Sequence, residues 1–307
     1  MGEVIETRGL TKYYGKRPGI VGLDLAVDEG EVFGFLGPNG AGKTTTIRLL
    51  LGFIRPTSGG ATIFGHDAWA EAATAHGLLA HLSDAPAYLG EMTGAETFAF
   101  LGRLRGVAPG AWQPLAERLD LDPSVPIRKL SRGNRQKVSV VQVFMGSEPL
   151  LVMDEPTTGL DPLMQREFLA LVAEARAAGR TVFLSSHNLT EVERSCDRVG
   201  IVREGVLVAV RAVRDLLGEH TRSVNLVLGT APPAGTFDMP NVRLVASTGQ
   251  DIHLVVRGDP NLLLRRISEL DVRDIAITTP DIEDVFLTYY EGVDGGGGSG
   301  PAEEAQA

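Results

Sequence analysis

The polarity pattern along this chain changes period several times, and each change marks an element. From residue 4 to 36 apolar and polar positions alternate in twos, as in half-buried strands, with Gly15 to Gly19 as a turn. The alternation closes on an unbroken apolar run, Val32–Leu36, which reads as a short strand buried on both faces. Two more such runs follow, Leu150–Met153 and Thr181–Ser186. Between the first and second run the spacing turns helical, over an insertion from about Asp84 to Met145. Its apolar side chains Tyr88, Leu89, Met92, Phe98, Phe100, Leu101 and Leu104 are mostly expected to fill the insertion's own core. Helices are also predicted over Leu169–Ala178, ended by Gly179 in a left-handed cap, and over Asn188–Asp197, capped by Asn188 or Thr190.

After about His220 the pattern changes again. Ser223–Leu228, Val242–Ser247, Asp251–Arg257 and Asp271–Thr278 read as strands, with Thr230–Pro240 as a Pro/Gly-rich loop. Asn261–Leu270 reads as a helix with Asn261 as its cap, and Asp281–Tyr290 as another, entered through Pro280. The expected domains are therefore 1–219, 220–291 as a small α+β module, and 292–307 as a disordered Gly/Ser-rich tail.

Chemistry enters where the first apolar run ends. Residues 37–44 read Gly-Pro-Asn-Gly-Ala-Gly-Lys-Thr, a strand emptying into G-x-x-x-x-G-K-T, the P-loop pattern. Within Gly37, Pro38, Asn39, Gly40, Ala41 and Gly42, the glycines let backbone N–H groups turn inward as a nest for phosphate oxygens. Lys43 brings charge to the β- and γ-phosphates, Thr44 offers a hydroxyl to Mg²⁺, and the following helix, with Thr45 in its first turn, aims its positive end at the anion. The second run ends in two carboxylates, Asp154 and Glu155, which must point to opposite faces of the strand. In P-loop enzymes the first acid helps hold Mg²⁺, which leaves the second to orient or deprotonate water. Upstream, Leu130-Ser131-Arg132-Gly133-Asn134 leads a helix that Ser131 can cap. His187 ends the third run.

From about Val4 to Leu217, and in family order, these residues resemble the ATPase subunit of an ATP-binding-cassette (ABC) transporter. Gly37–Thr44 resembles its Walker A, Leu130–Asn134 its signature, Leu150–Glu155 its Walker B, Gly159-Leu160-Asp161 its D-loop and His187 its switch histidine. The resemblance implies an α/β fold: a P-loop core with an antiparallel β subdomain and a helical subdomain, here extended by the small α+β module. It implies ATP and Mg²⁺ as ligands, with Tyr14 stacking on adenine and Tyr13 as the rival for that role. It further implies that Ser131 and Gly133 close on a partner's nucleotide, where the long cationic side chain of Arg132 could itself reach phosphate, and that Asp84 takes the Q-loop position toward Mg²⁺ or water. Two departures stand out. The signature carries Arg132 where the family has glycine, and Asp84 is a methylene shorter than the usual Gln or Glu. The ending Pro280–Leu287 resembles the C-terminal extension of the drug- and antibiotic-exporting branch, where it serves dimerisation, regulation or stability alone.

Composition narrows the classes. A net charge of −10 argues against nucleic-acid binding by bulk electrostatics. The single cysteine, Cys196, excludes an internal disulfide and is expected to be a packing residue. No stretch reaches the ~18–20 apolar residues that span a bilayer, and the N-terminus lacks a signal-peptide pattern. The expected setting is cytoplasmic, peripheral on the inner face of the membrane, with a separate membrane-spanning subunit and a second copy or homologue of the ATPase as partners. Some of the apolar residues near Tyr88–Met92 are then expected to line a groove for a helix of that membrane subunit. Two other classes were weighed. Ribosome-acting ATPases of this superfamily carry two cassettes with a charged linker, whereas this chain has one cassette and five lysines. Chromosome-maintenance ATPases need a long coiled coil between Thr44 and Leu130, where no heptads occur.

Overall fold

The computed structural model describes residues 2–83, 91–218 and 222–278, so Asp84, Tyr88, Leu89 and the predicted helix at 281–290 lie outside the described residues. It divides into two compact units, Met1–Asp215 and Leu216–Ala307.

The first unit opens with a hairpin, β1 (Glu3–Tyr14) and β2 (Arg17–Asp28), then β3 (Val32–Leu36) and helix α1 (Lys43–Leu50). Next come β4 (Ser58–Ile63), β5 (His66–Asp67), α2 (Ala72–His76) and β6 (Leu79–Leu82). The insertion supplies α3 (Gly94–Arg105), α4 (Gln113–Arg118) and α5 (Arg132–Phe144). The chain returns through β7 (Leu150–Asp154), α6 (Pro162–Ala177), β8 (Thr181–Ser186), α7 (Leu189–Ser195), β9 (Arg198–Arg203), β10 (Val206–Ala212) and α8 (Val213–Gly218).

Two sheets result. One is antiparallel, in the order β2-β1-β4-β5. The other runs β10-β9-β3-β8-β7-β6 and is parallel from β9 to β6. Its apolar runs are continuous because both faces are covered. Phe33, Phe35, Leu150, Val152 and Phe183 point into one core with α1 and the antiparallel sheet, while Val32, Leu151, Met153, Val182 and Leu184 point into the other. On the first face Phe33 and Phe183 stack with ring centroids 5.9 Å apart.

The insertion does not build a core of its own: Phe98, Ala116, Leu119 and Val138 belong to the same cluster as the second sheet face. Phe98 meets that expectation of burial and Leu101 packs partly against the cluster, but Phe100 and Leu104 are 40% and 69% exposed. They sit on the opposite side of α3 from its buried residues Gly94, Thr97, Phe98 and Gly102. Helix α6 also departs from the prediction. It starts at Pro162, a full two turns before Leu169, because Asp161 accepts hydrogen bonds from the Leu163 and Met164 N–H groups and Pro162 fits the first turn.

The second unit contains β11 (Arg222–Leu228), β12 (Val242–Thr248), β13 (Asp251–Val256), α9 (Asn261–Ile267) and β14 (Val272–Thr278). The strands pair antiparallel in the order β12-β13-β11-β14 around Val224, Leu226, Ile252, Leu254 and Leu263. Asn261 is the first residue of α9 rather than its cap; its N–H donates to Asp259 Oδ1.

Candidate functional site

The parallel strands β3, β8, β7 and β6 all deliver their C-terminal ends to one edge of the sheet, the place where α/β folds bind ligands. Residue 37 leaves β3 under tight confinement: its N–H donates to the Ser186 carbonyl, and any side chain there would run into the Val202 carbonyl. Gly40 and Gly42 have φ of +81° and +108°, which favours glycine. A Cβ on Gly42 would also meet Gly19 O and Ile20 Cγ2 at 2.8 Å. The first turn of α1 has no side-chain cap, so its N–H groups face outward for an anion.

Lys43 is 5% exposed, and its Nζ donates to Gly37 O at 2.7 Å and Pro38 O at 3.2 Å. Its third direction faces Glu155 Oε1 at 3.1 Å. Glu155 also faces His187 Nδ1 at 3.1 Å through Oε2, which accepts a further bond from Thr158 Oγ1 at 3.3 Å. Burial alone would push the Glu155 carboxyl up, but the Lys43 ammonium, helped by His187 and Thr158, holds it below the usual glutamate range.

The two adjacent acids have different surroundings, but strand alternation is not the cause: β7 ends at Asp154 and Glu155 lies beyond it. Asp154 is 2% exposed and accepts a hydrogen bond from Ser185 Oγ at 2.5 Å. Ser185 Oγ in turn accepts the Glu155 N–H at 3.0 Å. Glu155 itself takes a left-handed φ of +46°, rare for a residue with a side chain, which turns it away from the strand.

A cavity of about 520 Å³ opens over this edge, lined by Tyr14, Arg17, Pro18, Gly19, Asn39, Gly40, Gly42, Lys43, Thr44, Thr45, Arg48 and Glu155. Tyr14 lines it and Tyr13 does not. Gly37, Pro38 and Ala41 form the turn behind it, and His187 reaches it only through Glu155. Thr44 lines the cavity with its hydroxyl, whereas the buried Asp154 is not part of the lining; both carry hard oxygen donors of the kind Mg²⁺ takes when phosphate and water complete its shell. Among the described residues no cluster of His, Cys, Asp or Glu forms a protein-only metal cage.

Ser131, Arg132 and Gly133 are not among the residues lining the cavity. Ser131 Oγ accepts the Asn134 N–H and so caps α5. The α5 start is anchored on the turn after Glu155: Gln136 Nε2 donates to Pro156 O at 2.7 Å, and a Cβ on Gly133 would lie 2.7 Å from Gly159 O. Arg17 and Arg48 line the cavity without having been singled out by the sequence. Arg48 stands one helical turn beyond Thr44, so i,i+4 spacing would have found it; nothing in the sequence distinguishes Arg17.

Residues 20–158 match the family model described as ABC transporter. The chain is 35% identical to the bacitracin transport ATP-binding protein BcrA of Bacillus licheniformis over 68% of this chain and 69% of that protein. It is 32% identical to the daunorubicin/doxorubicin resistance ATP-binding protein DrrA of Streptomyces peucetius, over 92% of this chain and 91% of the relative. Among solved structures, an ATP-binding subunit of an ABC transporter superposes with a TM-score of 0.65 at 30% identity, covering 69% of this chain and 91% of that one. No helix among the described residues is long and apolar enough to cross a membrane. Walker-type loop, paired acids, sheet order and relatives agree: this chain belongs to the ATP-hydrolysing ATP-binding subunits of ABC transporters.

Proposed function

We propose that the chain powers efflux of drug-like or other amphipathic small molecules, working head to tail with a second copy or homologue on the cytosolic face of a separate membrane subunit. The observation that carries the dimer is the absence of Ser131 and Gly133 from the cavity that Lys43 and Glu155 line. The signature helix is anchored on its own chain's Pro156–Gly159 turn, so its free end is left for a nucleotide held by another copy. The separate membrane subunit follows from the transporter family, and the efflux direction from a relative named for drug resistance.

In this reading Tyr14 stacks on the base, and the glycine turn and the α1 N-terminus hold the phosphates. Lys43 shifts its charge from Glu155 toward the γ-phosphate, which frees the carboxylate to accept a proton from water. His187 fixes the Glu155 carboxylate from the other side. Thr44 and Asp154 would hold Mg²⁺, which neutralises charge developing on the transferred phosphoryl group. Asp84 keeps the role the family resemblance gave it.

Glu155→Gln is the test. Losing the general base is expected to slow hydrolysis by ~10²–10⁴ while ATP binding survives. With Mg-ATP the variant accumulates as a closed dimer, read by light scattering, and adding Ser131→Arg prevents closure. A variant that stays monomeric at saturating ATP would overturn the head-to-tail reading; one that hydrolyses at the wild-type rate would overturn the role of Glu155.

A further inference from the structure

Two arginines line the cavity without a part in the mechanism above, Arg17 and Arg48. Both are exposed, and among the described residues neither guanidinium makes a hydrogen bond or an ion pair. They come from different elements. Arg17 opens β2 and stands directly across the hairpin from Tyr14, the last residue of β1. Arg48 lies one turn beyond Thr44 and Thr45 on α1, and the Cα–Cβ bond of a helical residue tilts toward the N-terminus, here toward the phosphate loop. Hairpin and helix approach each other over Gly19, where a Cβ would lie 2.9 Å from Tyr14 Cε2 and 3.2 Å from Thr45 Cγ2. The two guanidinium groups are thereby brought to one cavity.

Charge decides what they do there. The lining carries Arg17, Lys43 and Arg48 against one carboxylate, Glu155. Lys43 is not free to meet an arriving anion: its Nζ donates to Gly37 O and Pro38 O and faces Glu155 Oε1 at 3.1 Å. With that pair cancelling, Arg17 and Arg48 supply the net positive side-chain charge of the lining. The chain as a whole carries −10, which opposes the approach of a polyphosphate. Charges are screened over about 8 Å at physiological ionic strength, so the cations at the cavity outweigh that distant charge once a nucleotide comes near. A guanidinium fork also matches the oxygens of a phosphate.

We propose that Arg17 and Arg48 form a capture subsite for the nucleotide's polyphosphate, drawing it into the cavity before Lys43 leaves Glu155. The proposal rests on the reading of this cavity as the nucleotide site. Lys43 and the α1 N-terminus hold the phosphates once bound, and the arginines set how fast they arrive. Exposed cations add little to a bound state in contact with solvent, so their effect falls on association rather than dissociation.

The test is stopped-flow binding of fluorescent mant-ATP to the full chain with Mg²⁺, at about 0.02 M and about 0.5 M salt. At low salt Arg17→Gln and Arg48→Gln are each expected to lower the association rate about threefold, and the pair about tenfold. The dissociation rate is expected to stay within about twofold of wild type. At high salt the wild-type association rate is expected to fall to about that of the glutamine pair. The Arg17→Lys/Arg48→Lys pair keeps both charges and is expected to return to within about twofold of the wild-type rate. An unchanged association rate in the glutamine pair, a salt dependence equal to that of wild type, a loss confined to dissociation, or no recovery in the lysine pair would each overturn the proposal. The single variants carry the test where the glutamine pair fails to fold. Lys43→Ala separates the two readings: if it hydrolyses ATP at the wild-type rate the proposed function itself falls. If it is inactive while the glutamine pair binds at the wild-type rate, only the arginines lose their role.

Discussion

Cys196 illustrates how burial settles the chemistry of a single side chain. Its sulfur packs against the helical face of the sheet, so close to Gly34 that a Cβ there would lie 3.0 Å from Sγ. Burial pushes the thiol up to about 12, so it stays protonated at every pH where the protein works. The sign follows from linkage. The unfolded thiol ionises near pH 8.5, so the contribution to stability is whole below that pH and is lost as pH rises toward the folded value. Iodoacetamide labelling of the native chain at pH 8 is therefore expected to be slow, and fast in denaturant; rapid native labelling would contradict this burial. The expectation of a packing cysteine agrees with its place against the apolar face of the sheet. The choice between Tyr13 and Tyr14 was not legible, since adjacent residues of β1 differ only in which side of the hairpin they face.

At the scale of elements, the buried parallel strands were easy to read because both faces demand apolar residues and the runs have no gaps. Helix starts were harder. The Pro162 start of α6 was missed because a proline reads as punctuation, although at the first helical turn its missing N–H costs nothing. The α3 start is a capping box: Thr93 Oγ1 accepts the Glu96 N–H, and Glu96 accepts the Thr93 N–H at 2.8 Å. That T-x-x-E spacing is present in the sequence. Thr93→Ala is expected to cost about 1 kcal/mol, seen as a lower urea midpoint at unchanged slope, with ATPase activity per folded molecule retained. A change in slope would mean that the insertion had separated from the shared core.

The two units have separate apolar cores: the first has one cluster around Phe33 and Phe183 and another around Phe98, and the second has one around Leu226, Ile252 and Leu254. Calorimetry of the full chain is expected to give a calorimetric enthalpy above the van't Hoff value, and Mg-ATP to raise only the transition of the first unit. One cooperative transition, shifted as a whole, would show that the units unfold together. The sheet order has a further consequence, felt during synthesis. β3 carries the phosphate loop, yet its neighbour β8 joins it through the pairing of Val32 with Val182. At about 5–20 residues per second, the ribosome releases Val182 roughly 10–30 s after Val32. For that interval the nascent chain exposes an apolar strand and a glycine turn that no neighbour yet shapes. A transcript cut short before residue 181 would then yield a polypeptide with every glycine of the phosphate loop and no grip on nucleotide, and the growing chain's need for a chaperone would be greatest while it waits for its last strands.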